Sequence, residues 1–129
     1  MMRVAFLPSD FNPMILMLGE AEDCRALGGV LRNFAREGRD VAFAGLGFCR
    51  CINTELTLTA QPGPPGVQRD GGRFIWRVPP ATAARFADRL EDLAEPSRIA
   101  GSEELDCGTE EGIAVKVSRG EYTDDYLTG

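Results

Sequence analysis

Histidine is absent from the 129 residues, which removes the side chain that titrates nearest neutral pH and ligates metals most often. The familiar catalytic triads and the histidine-bearing zinc sites go with it. Lysine is nearly absent as well. Lys116 stands alone against 13 arginines, and with abundant alanine and glycine this points to a GC-rich bacterial coding sequence. Long apolar runs are missing: with glycine counted as a break, the longest is Met14-Ile15-Leu16-Met17-Leu18, far below the roughly 20 residues a membrane-spanning helix needs. Near the start, the apolar run 4–7 is cut by Pro8, Ser9 and Asp10 with no small-residue cleavage site beyond, so no secretory signal is read. A cytoplasmic chain without membrane association is expected. Basic excess is lacking too. Twenty acidic against 14 basic side chains leave a net charge of -6, which opposes nonspecific binding to nucleic acid and favours a basic protein partner.

What is present describes an ordinary globular chain, 43% hydrophobic and 26% charged, of one domain's length, since domains most often run to roughly 100 to 150 residues. The acidity is concentrated: residues 91–129 hold 11 acidic and 3 basic side chains, whereas residues 67–90 hold 2 acidic and 5 basic. A charged stretch of this kind is either a solvated face or a steering surface for a cationic partner.

Sliding the chain against itself by 59 residues sets Met14-Ile15-Leu16-Met17-Leu18 on Arg73-Phe74-Ile75-Trp76-Arg77, two short segments that read as strands. A helix follows each. The first is expected over residues 21–37, with Leu27, Val30, Leu31 and Phe34 at helical spacing and Gly38 as its C-terminal cap. The second is expected over residues 80–95, opened by Pro80 and closed by Pro96. At the same shift Leu27 falls on Phe86, Leu31 on Leu90, Phe34 on Leu93 and Ala35 on Ala94. Further strands are expected within residues 40–44, 55–60, 98–107 and 113–118, the second and last showing alternation of apolar and polar positions. A leading strand over residues 3–7 is placed at a sheet edge. Residues 61–72, rich in proline and glycine, read as a connector. Each half is thus a βαββ unit, over about residues 12–60 and 73–119, with an acidic tail over 120–129. The expectation is one α+β domain, a two-layer sandwich in which both units merge into one mainly antiparallel sheet with two helices on one face.

Three stretches are candidates for chemistry or recognition. In Gly45-Leu46-Gly47-Phe48-Cys49-Arg50-Cys51 two thiols flank a guanidinium, which can lower a thiol's pKa. Residues two apart in a strand share a face, so the first reading of Cys49 and Cys51 is that they pack side by side, with a thiol or metal role as the alternative. Cys24, Cys49, Cys51 and Cys107 lack the paired spacing of a zinc site, so neither a metal nor another cofactor is expected. The carboxylates Glu103, Glu104, Asp106, Glu110, Glu111, Glu121, Asp124 and Asp125 cluster late in the chain. They read as solvated rather than as an acid–base pair, and no calcium-loop pattern is present. Among them Tyr122 and Tyr126 are the only tyrosines. Either the tail offers a recognition surface for a basic partner, or its aromatics anchor it back on the domain.

The pattern Leu16-Met17-Leu18-Gly19-Glu20, then Leu27 and Val30-Leu31-Arg32-Asn33-Phe34-Ala35, then Glu55-Leu56-Thr57-Leu58 resembles small bacterial immunity proteins of the polymorphic-toxin systems. The resemblance covers each half over roughly 45 residues, and its motifs are mostly fold-forming hydrophobics. This chain differs in its two-fold repeat and its Cys-Arg-Cys, and no functional residue carries over. The resemblance implies a protein that works by binding, neutralising a cationic toxin domain through an acidic face. The expected function is therefore a noncatalytic binding module acting through Glu103, Glu104, Asp106, Glu110, Glu111, Glu121, Tyr122, Asp124, Asp125 and Tyr126. The alternatives are a thiol or metal protein using Cys49 and Cys51, and a homodimer formed through an open strand edge.

Overall fold

The computed structural model describes residues 1–8, 13–108 and 113–120. In chain order the elements are β1 (Met2–Leu7), β2 (Met14–Gly19), α1 (Ala21–Glu37), β3 (Val41–Ala42), a 3-10 turn (Phe43–Gly45), β4 (Cys49–Cys51) and β5 (Leu56–Thr59). There follow β6 (Gly66–Asp70), β7 (Arg73–Arg77), α2 (Pro80–Leu93), β8 (Gly101–Glu104) and β9 (Ala114–Arg119). The α+β class holds, with two helices packed on mixed sheets.

The first helix forms where the apolar periodicity places it. Cys24, Leu27, Leu31 and Phe34 make its buried stripe, the backbone N–H of Glu20 donates to Asp23 Oδ2 at 2.9 Å, and Gly38 closes it in the left-handed conformation. In α2 the buried positions Ala83, Phe86, Ala87, Leu90 and Leu93 form the matching stripe after Pro80. The two helices pack against each other, with Arg25 reaching the Ala94 carbonyl and Arg32 reaching Asp88 and Glu91, both at 2.8 Å, over the C-terminal half of α2. Arg119 of β9 donates to the carbonyls of Leu93 and Glu95, at 2.9 and 2.8 Å. Its charge satisfies the last carbonyls of α2 and complements the negative end of the helix.

Two sheets form instead of the expected one. A five-stranded sheet runs β4-β1-β2-β9-β8 and a four-stranded sheet runs β3-β5-β7-β6, linked among the described residues by a bridge between Val67 and Ile113. The reason is edge occupancy. The strands that would have joined the halves are β2 and β7, and each already has both edges paired, β2 with β1 and β9, β7 with β5 and β6. Two features of the chain read differently in sequence account for this. The leading strand β1 is interior, between β4 and β2. The proline- and glycine-rich stretch 61–72 is not merely a connector: β6 lies within it and pairs antiparallel with β7 across the two-residue turn Gly71-Gly72, where Gly71 has φ 63°. Such turns need the positive φ that glycine adopts freely. Both sheets are mixed: among the described strands four pairs, β1 with β2, β3 with β5, β6 with β7 and β8 with β9, are antiparallel, and three, β1 with β4, β2 with β9 and β5 with β7, are parallel.

The halves of the sequence exchange their last strands. Ile15 of β2 pairs with Val115 of β9 while Phe74 of β7 pairs with Leu56 of β5, and the shift of 59 residues carries one pairing onto the other. Inner faces of both sheets and the stripes of both helices then meet in one core, with Trp76 at its centre against Phe43 and Phe86, ring centroids 6.1 and 6.0 Å away. The opposite face of the five-stranded sheet carries a second, separate cluster of Ala5, Leu16 and Leu18.

Candidate functional site

Of the ten residues expected to face a partner, Glu103, Glu104 and Asp106 are described, and Glu110, Glu111, Glu121, Tyr122, Asp124, Asp125 and Tyr126 lie outside the described residues. The three sit on and just past β8, the last strand of the five-stranded sheet. Glu103 is paired with Val117, Glu104 with Lys116, and alternation sends their side chains to opposite faces. Leu105 N–H donates to the Val115 carbonyl at 2.9 Å, which fixes the antiparallel phase: Ser102 and Glu104 direct their own amides and carbonyls away from β9. Glu104 and Asp106 are exposed, whereas Glu103 is half-buried beside Arg98, with N···O 3.9 Å. Asp106 Oδ1 accepts the N–H of Gly108 at 2.7 Å, so this carboxylate shapes the turn that follows it.

Beside the acidic strand lies an open cleft of about 420 Å³ lined by Arg85, Phe86, Arg89, Glu104, Asp106, Cys107 and Gly108. Arg85 and Arg89 are four residues apart on α2 and so share a face of the helix. Arg89 Nη1 donates to the Glu104 carbonyl at 3.2 Å. Sequence reading singled out the carboxylates and missed these two arginines, although their spacing was a visible signal. The β8 edge is therefore acidic at its exposed side chains and bordered by cations from α2, a pattern that sets orientation as well as attraction.

The Cys-Arg-Cys stretch forms β4, at the other edge of the same sheet, parallel to β1. Cys49 and Cys51 turn inward against the core while Arg50 is exposed on the other face, so the strand's pleat separates the guanidinium from the thiols it flanks in sequence. Burial, reinforced by Cys51 and Asp23, pushes the Cys49 thiol up to about 12, and burial alone pushes Cys51 up. Burial is again the first cause for Cys24, raised to about 11, and for Cys107. Nucleophilic thiol chemistry needs the opposite shift. Among the described residues no three His, Cys, Asp or Glu side chains gather as metal ligands would, and no helix is long and apolar enough to cross a membrane.

Comparison with protein families, curated proteins and solved structures found no match. The geometry of the chain itself is what carries a functional reading.

The thiol shifts have a measurable sign. A thiol whose pKa is higher folded than unfolded stays protonated in the native state while the unfolded chain ionises, so it contributes stability below the unfolded value and loses it as pH rises. Urea midpoints are expected to hold level from neutral pH to about 9, the ordinary thiol value. They then fall from there to about pH 11 to 12, the window in which the unfolded chain ionises Cys24 and Cys49 while the native state keeps them protonated. Replacing both cysteines with alanine is expected to flatten that limb, and an unchanged limb contradicts the assignment. Native thiols are also expected to react with a disulfide reagent at pH 8 much more slowly than thiols of the urea-unfolded chain.

Proposed function

We propose that this chain is a noncatalytic bacterial protein-binding module that offers the outer edge of β8 and its carboxylates to a basic partner. Neutralisation of a toxin domain, as an immunity or inhibitor protein, is its sharpest form. The observation that carries this reading is that, among the described residues, β8 ends its sheet with the amide and carbonyl of Ser102 and the amide of Glu104 directed outward, the Glu104 carbonyl accepting from Arg89, while Glu104 and Asp106 present exposed carboxylates on the same margin. An open strand edge recognises an extended segment through main-chain hydrogen bonds, and flanking charge selects the segment's sign. The net charge of -6 supports the same sign of partner, and the resemblance to immunity proteins points the same way. A cytoplasmic setting belongs to this proposal.

The test is a comparative capture from bacterial lysate under reducing conditions, with the wild-type chain and a Glu103→Gln, Glu104→Gln, Asp106→Asn variant as baits. The wild type is expected to retain a stoichiometric basic protein that salt releases, and the variant to bind it at least ten-fold more weakly. Equal retention by both baits contradicts the assignment of the surface, and retention of no protein but the chain itself contradicts the reading as a module for a different partner.

A further inference from the structure

The cleft beside β8 lies where an added strand would end. Contacts fix the relative direction of the two elements that form it. A side-chain carbon built at Gly101 lies 3.1 Å from Leu93 Cδ1, and Arg89 reaches the Glu104 carbonyl, so α2 and β8 run side by side in opposite directions. The cleft opens past the second of these contacts, lined on its apolar side by buried Phe86 and half-buried Cys107. Two guanidiniums stand there without an acid. Arg85 Nη2 donates to Thr82 Oγ1 and Arg89 Nη1 to the Glu104 carbonyl, both at 3.2 Å. Among the described residues neither has a carboxylate within salt-bridge distance, although Glu104 and Asp106 line the same space. Each arginine is thus oriented by one neutral acceptor and keeps most of its N–H donors for another. Two held guanidiniums on one helix face suit a carboxylate, which accepts from both.

The ladder of β8 says which carboxylate. The outward groups of the strand open to a partner are the Ser102 amide, the Ser102 carbonyl and the Glu104 amide, because Arg89 takes the Glu104 carbonyl. An antiparallel strand needs both groups of Glu104 for one opposing residue. A parallel strand does not. Its residue opposite Glu103 donates to the Ser102 carbonyl and accepts from the Glu104 amide, and the residue two before it accepts from the Ser102 amide. The next donor along would fall on the Glu104 carbonyl, where Arg89 already sits. A parallel strand therefore stops one residue past the one opposite Glu103, and its end arrives beside the guanidiniums of the cleft. That last residue stands opposite Glu104 and shares its face of the sheet.

We infer that β8 and the cleft form a receptor for the free C-terminus of a partner chain. The partner's last residues add to β8 in parallel, its α-carboxylate is held by Arg85 and Arg89, and its final side chain, a lysine or arginine, lies beside the exposed carboxylate of Glu104. This inference rests on the proposed docking at the β8 edge and adds to it the direction and the end of the docked segment.

The test immobilises the full chain and offers it a mixture of heptapeptides, randomised among Ala, Ser, Thr and Val before a final lysine, as free acids and as C-terminal amides. The free acids are expected to be retained about ten-fold more tightly than the amides. An Arg85→Gln, Arg89→Gln variant with unchanged circular dichroism is expected to lose that preference. Glu104→Gln is expected to keep it but to stop distinguishing a final lysine from a final glutamine. Equal retention of acid and amide by the wild-type chain overturns the inference, as does retention of neither, or a preference for the acid that survives loss of both arginines. Equal retention that weakens in the Glu104→Gln variant removes the C-terminal receptor and leaves docking at the β8 edge standing. The lysate capture decides that docking separately, so the two readings can fail apart.

Discussion

Replacing Trp76 with alanine is expected to lower stability by about 3 to 5 kcal/mol, the range for removing a large buried aromatic. Trp76 is fully buried and lies between Phe43 of the 3-10 turn and Phe86 of α2, so one side chain joins β7, the turn and the second helix. Its loss opens a cavity that three separate elements would have to collapse into. Phenylalanine at the same position is expected to cost under about 2 kcal/mol, because it keeps most of the ring contacts and because the buried indole N–H of Trp76 has no hydrogen-bond partner among the described residues. Urea unfolding followed by circular dichroism checks both variants. A Trp76→Ala midpoint close to wild type would contradict the placement of the core.

The paired glycines of α1 give the second large effect, and they should respond in opposite directions. Gly28 faces α2: a side-chain carbon built there lies 3.5 Å from the Ala87 carbonyl oxygen and 3.6 Å from Leu90 Cβ. Alanine fits that space, but leucine would have to displace the backbone of α2. Gly28→Leu is expected to cost about 1 to 3 kcal/mol or more as an overpacked contact. Gly29 meets nothing within 4 Å. Gly29→Ala is therefore expected to stabilise by roughly 0.5 to 1 kcal/mol through helix propensity alone. Thermal midpoints of the two variants measured together decide the matter, since equal effects would mean the helices do not cross at Gly28.

How far the fold was legible depended on whether the signal was local. Helix α1 begins and ends at the residues its periodicity and Gly38 indicate, and α2 stops at Leu93, two residues short of the expected end. The alternating stretch around Leu56 and Leu58 is a strand because its apolar residues face a core, which a period of two states directly. Partner choice among strands was not legible. Nothing in Arg3 to Leu7 says whether one edge or both will be paired, and the density of proline and glycine in 61–72 obscured the Gly71-Gly72 turn that makes β6 a hairpin partner of β7. Those two strands convert one expected sheet into two. For the candidate site the strand of Glu103 and Glu104 was legible to within a few residues, whereas Arg85 and Arg89 reach it only through the packing of α2 beside β8. Cys49 and Cys51 show the same limit from the other side. Adjacency to Arg50 left an activated thiol as an alternative to packing side by side, and the pleat of β4 places the guanidinium on one face and both thiols on the other, against the core.

The measurement that tests the central claim most directly is residue-resolved amide hydrogen exchange of the chain alone and with its captured basic partner bound. The account predicts new protection at the outward-directed amides of Ser102 and Glu104, with β4, β3 and β6 at the other sheet edges unchanged. Protection confined to β4, or to β3, with Ser102 and Glu104 exchanging as in the free chain, would contradict it.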